Sequence, residues 1–188
     1  MLNDTFALPT IAYFSMEVAA DEGMPTYSGG LGVLAGDMLR SCADLKIPIV
    51  AVSILYAHGY FEQHVDEWGI QHEQPVQWDP SQFARLLPVT VRVSIEGRPV
   101  VVRAWQHDVT GLTGYVVPLL LLDTKSEENA ADDRELTSDL YGGDERYRLA
   151  QEIVLGIGGI RMLRALGYTN IERFHMNEGH AALLALEL

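Results

Sequence analysis

The sequence predicts an α/β fold built on a mostly parallel sheet with helices on both faces, and three observations carry that prediction. Short β-branched apolar runs recur along the chain, two longer segments repeat apolar residues at helical spacing, and the elements alternate as strand, helix, strand, hairpin, strand, helix, strand, helix. Runs that are apolar without alternation, such as "PIVAVSIL" and "VVPLLLL", suit strands buried on both faces.

The strands are expected at Ile11 to Ser15, Pro48 to Leu55, Val89 to Ile95, Val100 to Trp105, Tyr115 to Leu122 and Ile171 to His175, each bounded by Gly, Pro or Asp. The pair around "SIEGRP" reads as an antiparallel hairpin insertion that turns near Glu96 and Gly97. Leu31 to Leu45 and Asp144 to Leu166 read as amphipathic helices. The second carries Leu149, Ile153, Ile157, Ile160 and Leu163, with Gly167 placed to end it. "GIGG" at 156 to 159 falls inside that helix and reads as close packing. Residues 123 to 143 are the most polar stretch and read as a surface loop. A last helix is expected to follow the final strand, and its apolar face, Leu183, Leu184 and Leu188, has no evident covering element. The chain therefore reads as one lobe of something larger, with possible homo-oligomer formation through that exposed apolar surface.

Composition narrows the partners. A length of 188 residues suits one domain that buries roughly 70% of its unfolded surface, and a hydrophobic content of 48% supplies the core. The net charge of −13 and a pI near 4.7 leave no basic stripe for nucleic acid or an anionic membrane. The single cysteine, Cys42, reads as a small buried hydrophobe in a reducing, cytoplasmic setting. "MLNDTFALPT" has neither the basic nor the apolar region of a signal peptide.

Two constellations bear chemistry. In "PTYSGGLGVLAGD", glycines at 29, 30, 32 and 36 lead into the first helix. Gly30, Gly32 and Ala35 fit G-x-G-x-x-A, yet the turn does not come straight off a strand and the next strand ends without a carboxylate. What survives is narrower. Adjacent glycines let backbone amides approach a phosphate or a sugar hydroxyl, and the helix dipole points at it. The alternative is a tight helix entry with no ligand. In "HMNEGH", Asn177, Glu178 and His180 follow a strand, at the end where open α/β sheets bind ligands. A metal reading of His175, Glu178 and His180 lacks a third ligand of suitable spacing, and simple helix capping by Asn177 and Glu178 leaves His180 idle. His58, after "LYA", reads as a surface histidine.

At these residues the chain resembles the α-glucan (glycogen or maltodextrin) phosphorylases of the short bacterial and archaeal type. The resemblance runs in order through "YFSME", "YSGGLGVLAGDMLRSCADL", "ILYAHGYFEQ", "LLDT", "LYGGDERYRLAQEIVLGIGGIRMLRALG" and "HMNEGHAA". It implies that residues 1 to 188 form the N-terminal Rossmann-like lobe of a GT-B glycosyltransferase fold. The implied reaction is phosphorolysis of terminal α-1,4-linked glucosyl units to glucose 1-phosphate, with α-1,4-glucan and inorganic phosphate as partners and no metal. The resemblance places Gly29, Gly30, Leu31 and Gly32 in a cradle for the substrate phosphate and glucosyl unit, with the Gly30 amide on phosphate and the Leu31 amide facing the sugar. It places His180 and Asn177 at the glucosyl pocket and Glu17 beneath the loop. Pyridoxal 5′-phosphate in this family sits on a lysine of the C-terminal lobe. This chain has only Lys46 and Lys125, neither in that motif, so no catalytic residue is assigned here and the chain alone is expected to be inactive.

Two other readings are open to the sequence. A glycogen or starch synthase lobe would carry a lysine-bearing "KTGGL", whereas here Ser28 precedes Gly29. A non-catalytic maltodextrin-binding module would show exposed aromatic platforms, for which Trp68, Trp78 and Trp105 are the only tryptophans.

Overall fold

The computed structural model describes residues 9–74 and 76–188, so the reading of the first eight residues lies outside the described part. A six-stranded sheet forms the centre. Its strands are β1 (Ile11–Ser15), β2 (Ile49–Ile54), β5 (Arg85–Ile95), β6 (Arg98–Thr110), β7 (Val116–Asp123) and β8 (Arg173–Asn177), in the order β5-β6-β7-β2-β1-β8. The pairings β1–β2, β1–β8 and β2–β7 are parallel, whereas β5–β6 and β6–β7 are antiparallel. A separate antiparallel ribbon joins β3 (Glu62–Val65) to β4 (Gln71–Gln74).

The sheet separates two cores because alternate residues of each central strand point to opposite faces. Phe14, Val50 and Val52 face Ala150, Val154, Ile160 and Leu163 of the later helices. Tyr13, Ile49 and Ala51 face Ala35, Leu39 and Ala43 of α1 (Gly30–Asp44). Helices therefore cover both faces, as expected.

The "SIEGRP" hairpin is antiparallel, as expected, and it extends the main sheet: β6 pairs with β7 over its whole second half. Three expectations need correction. Residues 123 to 143 are more than a surface loop. They contain a short helix, α2 (Ala131–Arg134), and its surroundings are buried: Asn129 exchanges two hydrogen bonds of 2.8 Å with the Val101 backbone, and the buried Asp133 carboxylate receives Arg98 Nη2 at 2.8 Å. The second long helix is split into α3 (Glu145–Ile153), a π-helical segment Val154–Gly158 and α4 (Gly159–Ala165). The final element is a 3-10 segment, Gly179–Leu186, in place of an α-helix.

The last of these changes the apolar strip. Leu184 is buried in the main core and Leu183 is half-buried, so only Leu188, with Leu186, stays exposed. The cause is the "GIGG" segment. A β-carbon on Gly156, in the π segment, would lie 2.6 Å from Leu184 N, and one on Gly159, which opens α4, would lie 2.6 Å from the Phe14 ring, so this glycine run seats both the terminal turn and β1 against its backbone. Cys42 is half-buried against the α1-side core. No helix among the described residues is long and apolar enough to cross a membrane.

Candidate functional site

The glycine-rich loop lies at the carboxyl end of β1, where the chain runs from Ser15 through Glu17 and returns at Ser28. Glu17 is buried, and its Oε2 accepts the amide of Ser28 at 2.6 Å and that of Gly29 at 3.3 Å. Gly29 then serves as N-cap of α1 in an extended conformation (φ −155°, ψ −161°) and offers no side chain to cap the helix. The first-turn amides of Gly30, Leu31 and Gly32 have no carbonyl within the helix to bond. Glu17 thus fixes the loop from beneath, and the helix end keeps its donors for a group outside it.

The glycines divide by what surrounds them. A β-carbon on Gly29 or Gly30 would meet nothing within 4 Å. One on Gly32 would lie 2.4 Å from Tyr27 Cβ and 3.1 Å from Glu17 Oε2. Gly32 is therefore needed by the scaffold, whereas Gly29 and Gly30 border open space.

The second constellation reaches the same place. Asn177, buried at the end of β8, donates to Ser15 Oγ at 3.1 Å, and Ser15 Oγ donates to the Glu17 carbonyl at 2.6 Å. Asn177 is thus tied into the support beneath the loop. Glu178 caps nothing; it takes φ 68° and ψ 177°, a conformation that glycine favours and that costs another residue on the order of 1–3 kcal/mol. That strained link turns the chain toward His180, whose Nδ1 is buried with no hydrogen-bond partner.

Tyr141 joins the two constellations, and sequence reasoning missed it. Its hydroxyl donates to Glu17 Oε1 at 3.1 Å, its ring lies 5.9 Å from the His180 ring, and the Arg148 guanidinium sits 5.8 Å over its face. Burial, aided by the Glu17 charge, raises the Tyr141 hydroxyl pKa above its ordinary value, so it stays a neutral donor. The available signal was "LYGGD", where the tyrosine precedes two glycines, but the distance in sequence from Glu17 conceals the contact.

Beside Ser28 and Tyr141 opens a cleft of about 780 Å³ whose walls also include His58, Tyr60 and Phe61. His58 is exposed, as expected, and its Nδ1 lies 3.1 Å from Asp139 Oδ1. His175 is also exposed, stacking at a tilt on Tyr13, 4.9 Å between centroids. Among the described residues no group of three His, Cys, Asp or Glu side chains could hold a metal ion.

Comparison with known proteins decides the lineage. Residues 15–105, which include Glu17 and the whole loop, match the family model for carbohydrate phosphorylase. A glycogen phosphorylase of Mycobacterium tuberculosis is 46% identical over 195 residues, covering 96% of this chain and 22% of that protein. The chain belongs to the carbohydrate phosphorylase family. A maltodextrin phosphorylase of Thermococcus litoralis is 40% identical over 92% of this chain and 21% of its own length. A glycogen phosphorylase of Aquifex aeolicus is 34% identical over 97% of the chain and 26% of its own length. The chain thus spans about a fifth to a quarter of the curated relatives it matches.

Phosphorylases of this family generally use pyridoxal phosphate. The residues of this chain do not fit it. Lys46 is exposed in the turn after α1 and Lys125 is exposed after β7, and neither lines the cleft beside the loop. Incubation of the chain with pyridoxal 5′-phosphate, followed by borohydride reduction, is expected to trap no stoichiometric lysine adduct. A one-to-one adduct at Lys46 or Lys125 in the mass spectrum would contradict this.

Proposed function

We propose that this chain is the N-terminal, Rossmann-like lobe of an α-glucan phosphorylase with the GT-B arrangement. The complete polypeptide would transfer terminal α-1,4-linked glucosyl units to inorganic phosphate, releasing glucose 1-phosphate in the cytoplasm. The observation that carries this reading is the loop: first-turn amides of α1, left uncapped by Gly29, at the end of a loop whose Ser28 and Gly29 amides Glu17 braces, beside a cleft.

In this reading the Gly30 amide holds the substrate phosphate and the Leu31 amide faces the glucosyl unit. These donors are fixed before substrate arrives, so they stabilise developing negative charge without reorganising. His180 and Asn177 border the glucosyl pocket, His180 through the face that carries its unpartnered Nδ1. Tyr141 keeps its hydroxyl on Glu17 and its ring against His180, linking the anion side of the site to the sugar side. Cofactor chemistry belongs to the lobe outside this chain, and the chain alone turns nothing over.

The test is direct. The complete polypeptide that carries this chain, given maltodextrin and inorganic phosphate, is expected to release glucose 1-phosphate, whereas the 188-residue chain is not. Glucosyl transfer only from a nucleotide sugar would reject the reading in favour of a synthase.

A further inference from the structure

Of the three tryptophans, two are committed to the fold. Trp78 Nε1 donates to the Tyr56 carbonyl at 3.0 Å, and its ring lies 5.9 Å from Phe83. Trp105 Nε1 donates to the buried Asp123 carboxylate at 2.6 Å. Trp68 is different. It sits in the turn between β3 and β4 and is 76% exposed.

The turn that presents it is closed by hydrogen bonds on both sides. Asp66 Oδ1 accepts the amides of Trp68 at 3.0 Å and Ile70 at 2.9 Å, and Asp66 Oδ2 lies 2.8 Å from His72 Nε2. The backbone closes it as well, with Asp66 N on the Ile70 carbonyl and Gly69 N on the Asp66 carbonyl, both at 3.0 Å. His72 and these amides hold the Asp66 carboxyl below the usual carboxylate range, so the lock persists at neutral pH. An exposed indole held in this way loses little conformational freedom when something stacks on it. An isolated two-stranded ribbon is marginal in water, so an exposed ribbon with a fixed aromatic tip gives the fold little.

The ribbon also has a direction. Glu73 and Gln74 at the end of β4 form part of the cleft wall, together with Tyr60 and Phe61, whose rings stack at 4.2 Å. From that cleft to the tip the surface carries carboxylates, glutamines and histidines, with no Lys or Arg between His58 and Ala84. Such a surface repels polyanions and imposes no charge penalty on a neutral polyhydroxylated chain.

We infer that the β3–β4 ribbon is an outlying binding surface for the α-1,4-glucan, running from the cleft beside the loop to Trp68 as its terminal stacking platform. The inference rests on the phosphorylase reading for the identity of the polymer. An indole accepts the C–H-rich face of a glucosyl ring, and the flanking glutamine and carboxylate groups accept its hydroxyls. A long chain would reach from the cleft to Trp68; a short one would fill the cleft alone.

The test uses the complete polypeptide that carries this chain, titrated without phosphate with maltoheptaose and run in native gels containing glycogen. Maltoheptaose is expected to change the tryptophan fluorescence through Trp68, and glycogen to retard the protein. Trp68→Ala should abolish the fluorescence change and weaken maltoheptaose binding about three- to tenfold, with an unchanged melting temperature, and Trp68→Tyr should restore most of it. Binding by Trp68→Ala as tight as by wild type, or no fluorescence response in the wild type, overturns the platform. Either result leaves the phosphorylase reading standing if the complete polypeptide still releases glucose 1-phosphate. Loss of a concentration-dependent dimer in Trp68→Ala, with glucan binding unaltered, overturns it in favour of contact with a second copy.

Discussion

Gly30→Ala is expected to lower the kcat of phosphorolysis by the complete polypeptide on the order of 10²- to 10³-fold while leaving the fold intact. The two halves of that expectation have separate sources. On the folding side, Gly30 is the first residue of α1 and its added methyl would meet nothing within 4 Å. Alanine is the better helix former by up to about 1 kcal/mol, so the melting temperature should hold or rise slightly. On the chemical side, Gly30 borders open space, and in the proposed site the phosphate approaches its amide from there. A methyl group there displaces the anion from a preorganised donor, and loss of one such donor costs on the order of 10²- to 10³-fold in kcat. His180→Ala should behave differently, raising the KM for glucan more than the KM for phosphate, because the proposed site sets its buried, unpartnered Nδ1 toward the glucosyl unit. Steady-state kinetics with each substrate varied separates the two. Wild-type turnover by Gly30→Ala, with unchanged thermal unfolding, would reduce the loop to a helix entry.

Much of this site was legible in the sequence because its parts are local. The glycine cluster leads directly into an amphipathic repeat, so α1 was expected at Leu31 to Leu45 and lies at Gly30–Asp44. The parallel strands declare themselves because burial on both faces removes polar residues from them, as in "IVAVSI" of β2. What stayed hidden depends on distance in space. Tyr141 acquires its place from Glu17 and His180, and "LYGGD" marks a tyrosine before two glycines without pointing to either partner.

The ribbon β3–β4 was hidden for another reason. "EQHV" and "QHEQ" are exposed on both faces and almost devoid of β-branched residues, so neither alternation nor propensity marks them. The Asp66 turn, not packing, sets the register that places His64 opposite His72. The terminal segment misled in the opposite direction. "AALLAL" has the composition of a helix, yet contact of Leu183 and Leu184 with the Gly156 backbone holds it as a 3-10 turn. Tertiary packing overrides propensity over so short a stretch.

Gly36→Ala should have the reverse signature of Gly30→Ala, a loss of stability first and of activity only through it. Gly32 and Gly36 are four residues apart on one face of α1, and the segment from Glu17 to Ala20 crosses the helix there. Ala19 N donates to the Gly32 carbonyl at 2.9 Å, and one turn beyond Gly36 the Arg40 guanidinium donates to the Ala19 carbonyl at 2.7 Å. A β-carbon on Gly36 would lie 2.1 Å from that same Ala19 oxygen and 2.9 Å from the Ala19 carbonyl carbon. Both contacts are with backbone, so no rotamer change relieves them; either the helix or the crossing segment must move. Overpacking against backbone sits at the upper end of the usual range, about 3 kcal/mol, against a helix-propensity gain of at most about 1 kcal/mol. For a domain of this size the net loss of about 2 kcal/mol corresponds to a fall in melting temperature of roughly 4–8 °C. The displaced segment carries Glu17, whose carboxylate braces Ser28 and Gly29, so the loop should loosen as the segment shifts. Thermal unfolding followed by circular dichroism, with phosphorolysis measured well below the transition, checks both halves. A melting temperature equal to that of the wild type would show that Ala19 yields without cost and that the crossing does not hold the loop in place.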